Sequence, residues 1–457
     1  MRRTIVFLSL LCLVLTGAAS AKVTLPEATT LTLDNGLMVQ VIERHNLPLF
    51  SMQLTCRAGS IFDPVGKEGL AAVASEMLMR GTPTRNTRQI AEEIAYGGGA
   101  FSNFCSRVSA GFQGEFLTAQ GEKGFEILGD ILTNSLLSQE ELDKTVERQL
   151  AAIENAYENP GNIANIKMSE VFLGDSRYAH ATLGLKKTVA ALTRDDLTRY
   201  VADFYAPNNA LLVICGDITP QQATEWARKY LGAWKGAAGA PADEPAFPPI
   251  EGKQVIIFDK PDATQAQIRI GGNGFPIDSP DYWAYEVASN VYGGSFTSRL
   301  VNEIRVNRGL TYGVRCSSTS FKPGGIVYVT TFTKNSTVGE VIDIILAEAR
   351  RMQTEMLSDS EFVGAVKYRS GLYPLGFETN DDLVGVFANM WLNSLDKSHY
   401  EDYQENLKAG TSQQALEVAQ EYFPFENYRL ILVGKADEIK AQAEKYGPVT
   451  VVPLSVQ

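Results

Sequence analysis

Two parts of the chain share one order of strands and helices, and this repeat constrains the fold more than any other feature. A segment rich in Gly, Ala and Pro, residues 233–254, lacks apolar periodicity and is typical of an interdomain linker. It separates residues 22–232 from residues 255–457, two parts of similar length. The sequence therefore predicts two copies of one α+β domain.

Each part opens with strand-like alternation and closes on an apolar run that a glycine follows. The first opening strand pair contains an Asn35-Gly36 turn, which is typical of a β-hairpin. Amphipathic helices follow in both parts, and we predict capping boxes at their starts, Ser138-x-x-Glu141 and Thr337-x-x-Glu340. The closing runs are "NNALLVICGDI" and "NYRLILVGKADEI".

Residues 1–21 are predicted to be a cleaved secretory signal. Arg2 and Arg3 precede an apolar run over residues 5–15, and Ala19-Ser20-Ala21 is a small-residue cleavage signature. The alternative, a membrane anchor, is disfavoured because the run is shorter than the roughly 20 residues that span a bilayer. We therefore expect a periplasmic or otherwise exported protein, with no membrane insertion after cleavage.

Charge and cysteine spacing exclude several functional classes. Cleavage would leave 39 basic and 53 acidic residues, a net charge of −14, which does not favour nucleic acid as a partner. The remaining cysteines form no Cys-x-x-Cys pair, so a zinc ribbon and a thioredoxin-type motif are excluded. They are Cys56, Cys105, Cys215 and Cys316. Either a Cys56–Cys105 disulfide or buried free thiols are compatible with this spacing.

Local motifs for catalysis are missing from the sequence. The chain has three widely separated histidines, none in the His-x-x-x-His spacing that a helix offers to zinc. No Gly-x-Ser-x-Gly elbow is present. The glycine-rich stretches at residues 96–101 and 292–300 follow predicted helices, which is typical of helix termination and not of a phosphate loop.

Three stretches resemble the M16 (pitrilysin or insulinase-type) metallopeptidase family. They are "GLAAVASEMLMRGT", "GGGAFSNFCSRVSAGF" and "VYGGSFTSRLVNEIRVNRGLTYGV". The resemblance spans nearly the whole chain after residue 21. It implies two homologous α/β-sandwich domains, each an antiparallel-rich sheet with helices packed on it.

The first stretch departs from the family's inverted His-x-x-Glu-His zinc motif. Ala72 stands at the first histidine, Ser75 at the general-base glutamate and Glu76 at the second histidine. The resemblance places the third ligand near Glu154, with the register defined to within one residue. Because both histidines and the base are replaced, we expect no zinc or other cofactor in this chain.

The second-half motif keeps the residues that the family uses on the peptide. Arg305 and Tyr312 match an arginine and tyrosine that reach across to the zinc site and stabilise the transition state, and both side chains are suitable oxyanion donors. Several family members work as two-chain complexes in which only one chain has the zinc motif. The resemblance therefore implies a zinc-bearing catalytic M16 partner and unfolded peptide substrates. We further expect peptide capture at an edge strand, residues 102–112, that includes Asn103.

Three functional hypotheses follow. The first is a non-catalytic subunit of an exported heterodimeric zinc peptidase that supplies Arg305 and Tyr312 in trans. The second is a pseudo-peptidase that only binds peptides or acts as a scaffold. The third is a hydrolase that uses residues outside the recognised motifs.

Overall fold

The computed structural model describes residues 22–239, 245–424 and 426–454. The predicted signal at residues 1–21 lies outside the described residues, and so does the centre of the predicted linker. Among the described residues, no helix combines the length and apolarity that a membrane crossing would require.

The strands form two six-stranded mixed sheets that match in five of their six strands. The first sheet has the order β1-β2-β6-β3-β5-β4 and the second the order β12-β7-β11-β8-β10-β9. In both, a parallel pair (β2/β6 and β7/β11) is followed by three antiparallel pairs. The remaining edge strand differs, since β1 is antiparallel to β2 whereas β12 is parallel to β7. The strands are β1 Thr29–Thr32, β2 Met38–Glu43, β3 Leu49–Cys56, β4 Ala100–Cys105, β5 Ala110–Leu117, β6 Ala210–Gly216, β7 Lys253–Asp259, β8 Gln265–Gly274, β9 Val314–Phe321, β10 Gly324–Lys334, β11 Tyr428–Gly434 and β12 Val449–Pro453. The predicted α+β class with two similar halves is confirmed.

The α-helices pack on these sheets. They are α1 Leu70–Met77, α2 Thr87–Tyr96, α3 Gly121–Asn134, α4 Gln139–Glu158, α5 Pro160–Leu173, α6 Lys186–Ala190, α7 Arg194–Phe204, α8 Pro220–Leu231, α9 Tyr282–Ser289, α10 Val338–Thr354, α11 Asp359–Leu372, α12 Asn380–Asn393, α13 Lys397–Glu401, α14 Tyr403–Ala409, α15 Ser412–Tyr422 and α16 Ala436–Ala443. Two π-helical segments, Asn290–Gly294 and Val301–Asn307, follow α9.

Local sequence signals met different outcomes. The hairpin turn between β1 and β2 is confirmed, with Gly36 at φ +93°. Of the capping box predicted at Ser138, one of the two hydrogen bonds is present: the hydroxyl of Ser138 accepts the backbone N–H of Glu141 at 3.4 Å, while Glu141 accepts from Lys144. The capping box predicted at Thr337 is wrong, because its hydroxyl instead donates to the carbonyl of Lys334 at 3.1 Å.

The predicted linker packs against both halves where the structure describes it. Trp234 is buried and its indole N–H donates to the carbonyl of Tyr205 at 3.2 Å. Further along, the ring of Phe247 lies 5.3 Å from that of Tyr178 in the first half and 6.1 Å from that of Phe321 in the second. The ends of this segment are therefore held by apolar and aromatic contacts.

The two halves exchange helices. Helix α5 of the first half packs on β8 and β11, whereas α12 of the second half packs on β3 and β6. Each central strand is consequently covered on both faces, which explains why β6 and β11 read as continuous apolar runs and not as alternation. The residues that bury α12 on the first sheet are Ile42, Leu211, Val213, Cys215, Leu383, Val384, Phe387 and Ala388.

We expect Phe387→Ala to lower the free energy of unfolding by about 3–5 kcal/mol, because Phe387 is 4% exposed and fills the contact between α12 and the first sheet. Urea denaturation measures the change. The matched control is Leu372→Ala on α11, whose side chain is 47% exposed and whose loss should change stability by no more than about 0.5 kcal/mol. Equal effects of the two substitutions would contradict the helix exchange.

Candidate functional site

Helix α1 carries the degenerate zinc motif and starts at a buried carboxylate. Asp63 accepts the backbone N–H groups of Gly69 at 2.8 Å and Ala71 at 2.7 Å, so it satisfies donors that the first turn leaves free. Burial raises the pKa of Asp63, while these N–H groups and His180, whose Nε2 lies 3.4 Å away, oppose that change. Gly69 has φ +100°, which favours glycine.

Ser75 joins α1 to the edge of the first sheet. Its side chain is fully buried; the hydroxyl donates to the carbonyl of Phe104 at 2.9 Å and accepts from the amide of Asn103 at 3.2 Å. A hydroxyl in this position cannot replace a glutamate as a base for water activation. The structure thus brings Ser75 and Asn103 together as a structural hydrogen-bond network.

Glu76 is held by arginines. Its Oε1 accepts from the Nε of Arg148 at 3.1 Å and from the Nη2 at 2.8 Å, and it also pairs with Arg80, which follows the end of α1. Two guanidinium groups therefore neutralise the one carboxylate of the motif. Ala72, one turn earlier, supplies only a methyl group.

Glu154 lies apart from these residues. It forms an ion pair with Lys186 and its side chain is 53% exposed. Two α4 side chains bond to α1 or its N-cap: Arg148 donates to Glu76, and Gln149 donates to the carbonyl of Gly69 at 3.3 Å. Among the described residues, no group of three or more His, Cys, Asp or Glu could hold a metal ion. The residues present on α1 and α4 do not fit a zinc ion.

The edge strand is shorter than predicted. Residues 102–112 belong to two strands, of which β4 lies at an edge of the sheet and β5 is an interior strand between β3 and β4. They therefore form a hairpin and not one edge strand. Asn103 lies on β4, half-buried, with its amide directed to Ser75. Its side chain therefore supports α1, and the backbone of β4 is what an added peptide strand would pair with.

We expect Ser75→Ala to destabilise the fold by about 1–3 kcal/mol, because it removes two hydrogen bonds and leaves the carbonyl of Phe104 and the amide of Asn103 without this partner. Ser102→Ala, at an exposed position of the same strand, is the matched control. Chemical denaturation of both variants gives the comparison. If Ser75→Ala were as stable as the control, the network would not anchor α1.

Arg305 and Tyr312 come together at a cleft of about 610 Å³ in the second half. The segment Val301–Asn307 buries Val301 and Ile304 and leaves Arg305 half-buried, with its guanidinium 4.8 Å from the centre of the Phe296 ring. Among the described residues, no first-half residue and no carboxylate lines this cleft. The motif on α1 therefore does not contribute to it.

The loop that carries Tyr312 is fixed, although the phenol itself is 83% exposed. Gly309, at φ +63°, ends the helical segment. Next to Tyr312, the hydroxyl of Thr311 donates to the carbonyl of Gly313 at 3.1 Å. The hydroxyl of Thr331 on β10 donates to the same carbonyl at 2.9 Å. A rigid backbone thus presents an exposed hydrogen-bond donor.

An ion pair connects the Arg305 segment to α11. The Nε of Arg299 donates to Glu361 at 2.8 Å, and Glu361 also completes the capping box of Ser358. Burial alone would raise the pKa of Glu361, but the hydrogen bonds from Arg299 and Ser358 lower it to about 2. The ionised carboxylate is therefore the form that the fold stabilises.

This ion pair predicts an acid-sensitive contribution to stability. The pKa of Glu361 in the fold, about 2, lies below the value of about 4.3 in an unfolded chain, so its contribution is present above pH ~4.3 and is lost as the pH falls towards 2. We expect Glu361→Gln to cost about 1 kcal/mol at pH 7, allowing for partial exposure. The cost should shrink when urea denaturation is repeated at pH 4 and pH 3. Glu355→Gln, at an exposed pair, is the control; a pH-independent cost would contradict the assignment.

Some site residues were missed by the sequence analysis. Arg148 is 72 positions from Glu76, and Arg299 is 62 positions from Glu361, so no local spacing reveals either pair. The four cysteines in the described chain are free thiols, which resolves the alternative left open for Cys56 and Cys105. Burial raises the pKa of Cys215 to about 11 and of Cys316 to about 12. These thiols are therefore poor nucleophiles.

Known proteins resemble this chain in sequence and fold. A family model described as insulinase (peptidase family M16) matches residues 39–184, and one described as peptidase M16 inactive domain matches residues 191–368. An uncharacterized zinc protease of Rickettsia felis is 24% identical over 342 residues, 74% of this chain and 82% of the relative. A non-peptidase homologue of Helicobacter pylori is 24% identical over 383 residues, 81% and 88% of the two chains. The crystal structure of a peptidase M16 inactive domain from Pseudomonas fluorescens has a TM-score of 0.82 at 22% identity, covering 94% of this chain and 100% of that one.

Proposed function

Because the chain belongs to the M16 peptidase family and its zinc-ligand positions do not fit a metal, we propose that it is the non-catalytic subunit of a heterodimeric M16 zinc peptidase. In this proposal a partner chain with an intact motif holds the zinc and hydrolyses unfolded peptides. This chain contributes Arg305 and Tyr312 to the bound peptide.

The observation that carries the proposal is the contrast between the two motifs. On α1, Glu76 is neutralised by Arg80 and Arg148, so the metal position is filled by ion pairs. At the second-half cleft, Tyr312 remains exposed on a fixed loop, and the half-buried Arg305 lines the same cleft with its guanidinium beside the exposed ring of Phe296. Neither side chain is paired with a carboxylate of the cleft, so both can donate to a substrate there.

The chemistry of the pair suits peptide hydrolysis at a neighbouring zinc. As the partner's site generates a tetrahedral intermediate, negative charge develops on the former carbonyl oxygen of the peptide. A guanidinium and a phenol are both donors to such an oxyanion, and donors of this kind lower the barrier by several kcal/mol. Neither residue needs to change its protonation state in this role.

Peptide capture and export complete the proposal. An extended peptide would add to the free edge of β4 through backbone hydrogen bonds, which demands little of its sequence. The net charge of −12 for the full chain would favour basic peptides by long-range steering. The signal-like residues 1–21 support a periplasmic or otherwise exported location.

A pseudo-peptidase that only binds peptides or acts as a scaffold is the second candidate. The name of the Helicobacter pylori relative, a non-peptidase homologue, favours it. The two candidates differ in whether Arg305 and Tyr312 affect a reaction rate. A zinc-motif homologue encoded beside this gene, with its own export signal, would favour the heterodimer.

The test mixes the purified chain with a zinc-motif M16 homologue from the same genome and assays a panel of unfolded peptides. We expect no hydrolysis by this chain alone. In the complex, Arg305→Ala and Tyr312→Phe should each lower kcat by about 10²–10³-fold, because each removes an oxyanion donor.

Matched controls separate this effect from general damage. Arg308→Ala removes a neighbouring arginine whose ion pairs are long, 3.4 Å and 4.0 Å, and Tyr96→Phe changes an exposed tyrosine of the first half. Both should leave kcat unchanged. Chelator-resistant hydrolysis by this chain alone, or a complex that forms and is equally active with Arg305→Ala and Tyr312→Phe, would refute the heterodimer proposal.

A further inference from the structure

A second cavity, of about 580 Å³, lies where the two halves meet on α5. Its walls come from α4 and α5 of the first half and from β8, β9 and β10 of the second. The volume is within the range of about 300–1,000 Å³ that is typical of small-ligand sites. The cavity is distinct from the degenerate motif on α1, because Ala72, Ser75 and Glu76 do not line it.

Arg269 enters this cavity from the second sheet. Its side chain is buried, and its guanidinium donates to the Oδ1 of Asn165 at 3.0 Å and to the carbonyl of Gly161 at 3.3 Å, both on α5. Two further carbonyls on the second sheet, those of Ile268 and Thr331, accept at 3.0 Å and 3.3 Å. Every one of these acceptors is neutral.

Arg107 enters from the first half, in the turn between β4 and β5. Its Nε donates to the carbonyl of Tyr178 at 2.9 Å and its Nη2 to the hydroxyl of Ser169 at 2.8 Å. Its Nη1 makes no hydrogen bond to the described residues, and the half-buried side chain lines the cavity. One amino group of this guanidinium is therefore available to a ligand.

Arg269 and Arg107 contact the same face of α5. Arg269 donates to Asn165 and Arg107 donates to Ser169; Asn165 and Ser169 are four positions apart, about 6 Å along the helix axis. Among the described residues, the hydrogen-bond acceptors of both arginines are neutral, and no Asp or Glu lines the cavity. A buried and a half-buried cation that share a cavity without an anion are unfavourable, since burial removes water and like charges repel.

Both guanidinium groups are charged, because arginine stays protonated in proteins. Desolvation lowers the pKa of Arg107, and it lowers that of Arg269 to about 10, while an electrostatic effect of Tyr328 opposes the decrease at both. Protonated guanidinium groups that share a cavity form a receptor for an anion. The missing counter-charge would then come from a ligand.

The other residues that line the cavity indicate what the uncharged part of such a ligand would contact. Ile166, Leu173 and Phe321 are apolar, whereas Thr319 and Tyr328 supply hydroxyl groups. We propose that this cavity binds an organic carboxylate with an apolar body, its carboxylate contacting Arg107 and Arg269 and its apolar part packing between α5 and β9–β10. The carboxyl terminus of a short apolar peptide and a free medium-chain fatty acid share this chemistry.

Calorimetric titration of the purified chain tests the proposal without any partner. The probes are acetyl-leucyl-leucine, its C-terminal amide, octanoate, octanol and inorganic phosphate. At least one of the two carboxylates should bind with a stoichiometry of one, at least 10-fold more tightly than its neutral counterpart and more tightly than phosphate. Which acid binds better distinguishes the peptide source from the fatty-acid source.

Substitutions place the binding in this cavity. Arg107→Gln should weaken the carboxylate at least 10-fold, Arg107→Lys should retain part of the affinity, and Arg88→Gln, at a side chain that is 85% exposed, should have no effect. Arg107→Gln is preferred to a change at Arg269 because the latter also connects the two halves. Its fold is checked by thermal unfolding. Equal binding of acids and neutral counterparts, tighter binding of phosphate, no binding by either acid, or unchanged affinity in a folded Arg107→Gln chain would overturn the proposal.

Discussion

The exchange of helices between the two halves is the interaction on which the rest of the structure depends. A central strand that is buried on both faces needs cover on both sides, and each half supplies only one cover for itself. On β6, Leu212 and Ile214 face the main core of the first half while Leu211 and Val213 face α12. On β11 the corresponding second cover is α5. Neither sheet would be complete without the other half, so the repeated domains form one folding unit.

This arrangement brings polar atoms into the interior and determines how they are satisfied. Where α5 crosses the second sheet, Arg269 bonds only neutral acceptors and shares the cavity with Arg107. On α1, by contrast, the charged group has charged partners, since Glu76 forms ion pairs with Arg80 and Arg148. A buried charge is costly unless an opposite charge pairs it. On α1 the negative charge of Glu76 is therefore neutralised by two guanidinium groups. In the cavity that contains Arg107 and Arg269, by contrast, no carboxylate among the described residues neutralises the positive charge.

The sequence predicted what depends on neighbours in the chain. Hairpins, amphipathic helices and the linker follow from periodicity over a few residues, and the matching order of elements was enough to predict two like halves. The exchange of α5 and α12 could not be predicted, because each helix packs on strands far away in sequence. For the same reason Arg148 was missed as the partner of Glu76, 72 positions earlier. The local spacing rule for a capping box also failed at Thr337, because the hydroxyl of Thr337 donates to the carbonyl of Lys334 and does not cap the helix.

Folding alone explains why α1 survives without ligands, but it does not explain the Arg305–Tyr312 pair. Helix α1 contributes buried apolar residues to the core, and Ser75 connects it to β4, so its loss would expose the apolar core of the first half. Tyr312, by contrast, is 83% exposed, and the half-buried Arg305 has its guanidinium 4.8 Å from an exposed ring. An exposed phenol contributes little to stability, since surface substitutions usually change it by no more than about 0.5 kcal/mol. The fold therefore does not require Tyr312 at this position, and its exposure on a hydrogen-bonded loop is the observation that supports the proposed role towards a peptide.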